Sequence, residues 1–449
     1  MTKLKYKKEF IINLSNYLKK RKLSCYYLGN IKNINTSSSS DIDLYINYKK
    51  NSEILNALYL YAKKNKFKIS NIIQHEINSF FIVFTKYYGQ KIYSIAIDIC
   101  NNYYVKNKLL INFNKEISES KKKYIYKNIN LLDNCLLFKY YFIKKIYKND
   151  FNLKNLIFQK KLIYKNELKI RKFLLEIYEP KTTENIIKSL SRLNLKYFDR
   201  NNNFLKKKIF KRSEFKILNY FKYLKKNYLR FKNPTGLSLV FLGVDGSGKS
   251  TIINKLNFDF TNNIDGFGYI FRRCKIFHLS IFKSLRPGKI VKNPHNKKNY
   301  NFLTTLIKFF YLTFLMSIEI IFINILKRFS SLIIFDRFYY DYSIDAKRYR
   351  ILDNKILNNL FKKFNSLFIV DLIYVISGTT EKIYNRKKEI NTQTIQILQK
   401  KYLNFAKYQT NSDIIINDDK KLKYSLLKAK KLIINYQDIK NKKIIKNYK

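Results

Sequence analysis

The sequence predicts an α/β protein. Its C-terminal part reads as an open parallel sheet with helices on both faces, preceded by a smaller α+β domain and a helical connector. Three observations lead there. A glycine-rich turn, Gly243-Val-Asp-Gly-Ser-Gly-Lys-Ser-Thr251, lies between an apolar run, Leu237–Leu242, and a helical pattern starting at Ile252. A second apolar run from Ser331 ends in Asp336-Arg337-Phe338. Near the N-terminus, Asp41-Ile-Asp43 opens an alternating stretch, and a later one, Ile92–Ile99, carries Asp98.

Composition sets the bounds. A chain of 449 residues, 46% hydrophobic and 27% charged, has room for two or three domains with their own cores. Lys and Arg number 90 against 31 Asp and Glu, a net charge of +59 that would draw polyanions at low salt. The lysines are spread along every segment, however, and the abundant Lys, Asn, Ile, Tyr and Phe all have A/T-rich codons. Base composition accounts for them, and specific nucleic-acid binding is not expected. Cys25, Cys100, Cys135 and Cys274 form no CxxC pair, and the start, Met1 to Lys8, lacks the apolar core of a secretory signal. Both point to a cytoplasmic protein.

Along the chain, Phe10–Leu18 has the spacing of an amphipathic helix, and Cys25–Leu28 reads as a strand ending at Gly29. Four serines, Ser37 to Ser40, form a polar turn before Asp41–Ile46. Alternation on that strand puts Asp41 and Asp43 on one face. Two carboxylates so close repel unless a cation lies between them, and Mg²⁺ is the natural one. A strand edge made soluble by two aspartates is the plainer alternative. From about 101 to 232 no catalytic constellation occurs. Leu136–Ile146, Lys169–Ile177 and Phe215–Leu224 are helical by spacing, and Thr182 or Thr183 is placed to cap a further helix. Pro234-Thr-Gly236 marks a domain entry. The domains expected are therefore 1–135, a connector at 136–232, and 233–449.

In the last of these, Gly243, Gly246 and Gly248 suit backbone angles closed to other residues. A loop so built turns its N–H groups inward at a helix N-terminus, where anions are favoured. Gly243, Val244, Asp245, Gly246, Ser247, Gly248, Lys249, Ser250 and Thr251 are then the binding loop for a nucleoside triphosphate. Lys249 reaches the outer phosphates and Ser250 ligates Mg²⁺. Asp336, at the carboxyl end of a buried strand, is the second Mg²⁺ residue. Arg337 beside it suits a phosphate. Another buried strand, Phe368–Ile376, leads into the basic stretch Glu381–Glu389, whose Arg386 is placed to close over a transferring phosphoryl group. Gly266–Arg273 reads as a short strand. Phe309–Leu326 is 18 apolar residues interrupted by Glu319 and Asn324; it reads as a buried helix, not a membrane span.

Two resemblances follow from these residues. Gly29, a spacer, Asp41-x-Asp43 and Asp98 on a later strand resemble the nucleotidyltransferase fold of the polymerase-β superfamily. In that family such carboxylates, here Asp41, Asp43 and Asp98, hold the catalytic metals; Asn30 stands where the family carries Ser or Gly. The order GxDGxGKST, apolar strand with Asp-Arg-Phe, then basic lid, resembles thymidylate kinase over residues 233 to 449. Pro234–Gly236, Asn293-Pro-His295 and Asp336–Tyr349 look like a two-domain thymidylate kinase-like group with an N-terminal nucleotidyltransferase-like region. This resemblance implies ATP and Mg²⁺, with Lys249, Asp336, Arg337 and Arg386 as catalytic residues. It implies a small phosphate- or hydroxyl-bearing acceptor, thymidylate by default, and is compatible with a homodimer. Asp341 stands at the family's Ser position, and no Ala-Tyr-Gln follows. The acceptor-phosphate segment has only Arg286-Pro-Gly288 as its counterpart. An open carboxylate at Asp341 is expected to repel an acceptor phosphate, unless Arg348 or Arg350 neutralises it, and to favour a sugar hydroxyl.

Overall fold

The computed structural model describes residues 3–29, 41–119, 124–213, 216–261, 270–275, 295, 298–417 and 422–448. The chain divides into two compact units. Unit 1 takes Met1–Lys232 and Asp438–Lys449, and unit 2 takes Asn233–Asn263 and Phe267–Gln437. The polar turn at Ser37–Ser40, Asn30, Gly266, Arg286–Gly288 and Asn293-Pro294 lie outside the described residues.

Among the described residues unit 1 is built on nine strands: β1 Cys25–Tyr27, β2 Ile42–Ile46, β3 Lys68–Glu76, β4 Ser79–Tyr88, β5 Lys91–Cys100, β6 Tyr103–Val105, β7 Lys108–Ile111, β8 Tyr124–Tyr126 and β9 Ile129–Leu131. Seven form one sheet in the order β3-β4-β5-β2-β1-β9-β8, while β6 and β7 pair separately. Alternation decides which face each residue meets. Ile42, Leu44, Ile46, Ile97 and Ile99 join a core with Phe10, Leu14, Leu55 and Leu58 from helices Lys3–Lys20 and Asn51–Lys64. Tyr45 and Cys100 turn to the other face, into a second core with Phe138, Phe142, Leu174, Leu190 and Leu205. These come from helices Asn134–Lys148, Leu153–Leu175, Pro180–Ser191 and Leu195–Arg212. The segment read as a connector therefore shares a core with the sheet. Neither Thr182 nor Thr183 caps a helix: the third of these begins at Pro180, whose missing N–H costs nothing in the first turn, with Glu179 as N-cap. Asp133 caps Asn134–Lys148 by accepting from the N–H groups of Cys135 and Leu136.

Among its described residues unit 2 holds five strands: β10 Leu237–Leu242, β11 Ile270–Lys275, β12 Ser331–Asp336, β13 Leu372–Ser377 and β14 Ser412–Ile416. All pairs are parallel, in the order β11-β12-β10-β13-β14. A parallel sheet is covered on both faces, and every residue of β10 is buried accordingly. β11 and β12 lie on one side of β10 and β13 and β14 on the other, so the order of strands switches there and the carboxyl ends of β10, β12 and β13 border the crevice where such sheets bind ligands. Both Gly243 and Asp336 stand there.

The helix Phe302–Arg328 corrects an expectation. Thr305, Phe309, Leu312, Met316, Glu319 and Ile323, alternately four and three apart, make one buried stripe. Ile307, Phe310, Phe314 and Ile321 are exposed, so the reading of a buried helix holds for that stripe alone. A helix apolar on all sides meets a fold that covers only one side of it; 28% of its most apolar window is buried. By length and composition the helix is long and apolar enough to cross a membrane.

Candidate functional site

In unit 2, β10 delivers the chain into the glycine-rich loop, and helix Lys249–Thr261 leaves it. Gly243, Gly246 and Gly248 have φ of +139°, +84° and +91°, the region that glycine enters without cost. A Cβ on Gly243 would run into the carbonyl of Ile376, and one on Gly248 into the side-chain amide of Asn417. Asn417 clamps the loop: its Nδ2 donates to Ser247 O at 2.8 Å. Ser247 Oγ is buried within the loop and has no hydrogen-bond partner among the described residues. An unpartnered buried hydroxyl in a cradle closed to side chains is what a phosphate-binding loop offers its ligand.

Lys249 is buried and folded over this loop, donating to Gly243 O at 2.8 Å and Val244 O at 2.9 Å. Burial, followed by the like charge of Arg337, brings its pKa down to about 8. Ser250 Oγ donates to Asp336 Oδ2 at 3.2 Å. A hydroxyl and a carboxylate brought together beside a phosphate loop fit Mg²⁺, a hard cation that takes oxygen ligands. Val244 is buried and Thr251 exposed.

Arg337 is placed differently from expectation. It follows β12 with φ +80°, a conformation uncommon for a non-glycine residue and characteristic of functional sites. Its N–H donates to Phe241 O at 3.0 Å. The guanidinium is buried and donates to Asp341 Oδ2 at 2.8 Å, to Tyr402 Oη at 3.2 Å and to Asp245. Tyr402 Oη donates to Asp341 Oδ1 at 2.8 Å. Burial opposes the charge on Arg337, but Asp341 and Asp245 outweigh it and hold the group firmly ionised. Asp341 is therefore not an open carboxylate facing an acceptor; it is the fully buried partner of Arg337. Arg348 pairs with Asp245 instead, and Arg350 donates to Lys298 O and Tyr300 Oη.

Asp245 is the hub of this end of the loop. Burial raises its pKa, but Arg337, Lys249 and Arg348 pull it well below the usual carboxylate range. Lys387, from the basic stretch, approaches it at 3.5 Å, and Arg386 Nη1 donates to Gly246 O at 3.2 Å. The lid residues thus lie against the loop they were expected to cover. Tyr402, Lys387 and Asn417 were not singled out in the sequence. Tyr402 and Asn417 lie far from the loop along the chain, and no local signal marks them.

In unit 1, parallel pairing of β2 with β5 sets Asp43 directly beside Asp98. Both face the helix Asn134–Lys148 by alternation. Asp43 Oδ2 accepts from Lys144 Nζ at 2.9 Å, and Asp98 Oδ1 lies 2.9 Å from His75 Nε2. Burial raises the Asp98 pKa, yet His75, Lys144 and Lys148 more than reverse this and the net shift is downward. Asp41, exposed just before β2, is pushed up to about 6 by desolvation and by the charges of Asp43 and Asp98. Among the described residues no group of three or more His, Cys, Asp or Glu side chains converges as a metal site. The three aspartates read as a metal set are thus neighbours, but Asp43 already pairs with the Lys144 ammonium and Asp98 with the His75 ring.

No family model and no curated protein sequence matches the chain. Solved structures similar to it include a thymidylate kinase from Ehrlichia chaffeensis, at 16% identity over 44% of this chain and 98% of that one, with a TM-score of 0.30. A thymidylate kinase from Candida albicans gives 15%, 44%, 93% and 0.31 in the same order. A deoxyadenosine kinase from M. mycoides with bound dATP gives 17%, 43%, 98% and 0.27. At these identities and TM-scores the likeness carries no weight for substrate or mechanism. The fold of unit 2 stands on its own strand order and on the loop at the carboxyl end of β10.

Proposed function

We propose that the chain is an ATP-dependent phosphotransferase that passes the γ-phosphoryl group to a small acceptor, a nucleoside monophosphate of the thymidylate type by resemblance. The observation that carries the reading is the Gly243–Thr251 loop, with Lys249 folded into it and Ser250 meeting Asp336 at 3.2 Å. The loop amides would bind the donor phosphates and Lys249 would offset their charge. Ser250 and Asp336 would hold Mg²⁺, which supplies charge neutralisation between phosphate oxygens when bound. Arg386, already at Gly246 O, is within reach of a donor phosphate. Arg337 anchors Asp245 and Asp341 beside the loop and orients that side of the crevice. The expected repulsion of an acceptor phosphate by Asp341 falls away, because Arg337 neutralises that carboxylate. Asp341 therefore gives no ground for excluding a phosphate-bearing acceptor.

The test offers nucleoside monophosphates and phosphosugars with labelled ATP to the full chain. Transfer to at least one phosphate-bearing acceptor, lost in Lys249→Ala, is the expected result. ATP binding without transfer to any acceptor would favour a second reading, a nucleotide-gated binding protein. The observation behind that reading is that Arg337 is already occupied by two carboxylates. Release of pyrophosphate dependent on Asp43 and Asp98 would favour nucleotidyl transfer instead.

A further inference from the structure

The carboxylate frame of unit 1 disagrees with the metal it was expected to hold. Mg²⁺ requires near-octahedral oxygen ligands at roughly 2.0–2.1 Å and gives up its waters reluctantly. Here the position facing Asp43 is filled by Lys144, whose side chain is largely buried and whose Nζ also donates to Tyr140 Oη at 2.7 Å. Burial alone would lower the lysine's pKa, but Asp43, then Tyr140 and Asp98, hold it well above the usual lysine range. Asp98 is likewise met by an imidazole, His75, at 2.9 Å. The repulsion between the two carboxylates across β2 and β5 is thus offset by the Lys144 ammonium, with the His75 ring within hydrogen-bond distance of Asp98.

A cavity of about 320 Å³ opens beside this pair. Tyr103, Tyr140 and Tyr147 line it, with Asp98, Lys144 and Lys148 among the charged groups. That is the size range of small-molecule sites. Lys144 and Lys148 are four apart on one helix and so share a face. An ammonium has three donors, and two of those on Lys144 are used, by Asp43 and Tyr140. Asp98 and Glu76 on the same wall cancel the charges of Lys144 and Lys148, so the cavity offers no net positive charge to an anionic ligand.

We propose that Lys144 is the resident cation of this frame, and that unit 1 holds no divalent metal between Asp43 and Asp98.

Mn²⁺ alone, titrated into the full-length protein without nucleotide and followed by EPR, tests the cation. The wild type and Asp43→Asn/Asp98→Asn are expected to bind the same number of ions, since any background at Ser250 and Asp336 is common to both. Lys144→Met should gain one site, lost again when Asp43→Asn is added. A wild-type site that disappears in the double aspartate variant would overturn the proposal, and this comparison decides even if Lys144→Met fails to fold.

Discussion

The Lys249 ammonium makes the donor site sensitive to pH in a way that can be worked from its surroundings. It is buried, faces Arg337, and has its pKa brought down to about 8 from 10.5. A lysine so depressed loses its proton as pH rises through the folded value. Only the protonated form neutralises ATP phosphates. Donor capture by the free enzyme should therefore be flat below about pH 8 and fall about tenfold per pH unit above it, ~1.4 kcal/mol each. The profile of kcat/KM for ATP reports the free enzyme, whereas kcat reports the complex. Bound phosphates stabilise the ammonium, so the limb in kcat should lie at higher pH than the limb in kcat/KM. Initial rates with varied ATP at saturating Mg²⁺ and acceptor, from about pH 6 to about pH 10, give both. Lys249→Arg, ionised throughout, should be less active but should lack the limb. A wild-type kcat/KM that stays level to about pH 10, or a limb unchanged in Lys249→Arg, would refute the assignment of Lys249 to the donor phosphates.

Other consequences are equally direct. Asp341→Asn leaves Arg337 buried with half of its counter-charge, and should lower unfolding stability by about 3–5 kcal/mol in urea titration; a loss below about 1 kcal/mol would mean the pair is not formed. Glu319 is buried and its pKa is raised from 4.5 to about 7, so the folded state binds its proton more tightly than the unfolded chain does and stability falls as pH rises from about 4.5 to about 7. Glu319→Gln should accordingly stabilise by about 3 kcal/mol near pH 8 and by little near pH 4, as judged by denaturation midpoints at the two pH values. Gly248→Ala forces a side chain into the Asn417 amide at φ +91° and should weaken ATP binding, measured by calorimetry, at least tenfold (~1.4 kcal/mol); wild-type affinity would show that the loop is not closed by Asn417.

Much of unit 2 could be read from local chemistry. Strand, glycine turn and helix are contiguous from Leu237 to Thr261, and each step has a short-range cause. An apolar run makes the buried strand β10, positive φ requires the glycines, and the loop feeds a helix whose first residue is Lys249. Asp336 was legible for the same reason, as the last residue of another buried run. The pairing of Arg337 with Asp341 was within reach too, since the two are four apart, yet the family pattern drew attention to what Asp341 replaces and not to what it touches. The exposed faces of Phe302–Arg328 could not be read: hydropathy counts apolar residues along a helix, and only packing says how many sides are covered.

Unit 1 shows where such reading stops. Asp41, Asp43 and Asp98 stand out because acidic residues are scarce in a chain of 90 Lys and Arg, and alternation put Asp41 and Asp43 on one face of their strand, but only the register of β2 against β5 sets Asp43 beside Asp98. Charge repulsion correctly demanded a cation there. It could not say which cation, because Lys144 is one lysine among many and is separated from Asp43 by 101 positions. The register of β2 against β5 and the packing of helix Asn134–Lys148 on the sheet bring the ammonium to the carboxylate, and both are set by distant apolar residues such as Tyr45, Cys100 and Phe138. A divalent ion competing for Asp43 must displace a lysine that costs nothing further to hold, since its desolvation is already offset by two carboxylates and a tyrosine. Three acidic residues at a family's spacing are consequently weaker grounds for a metal than the identity of the side chain that faces them.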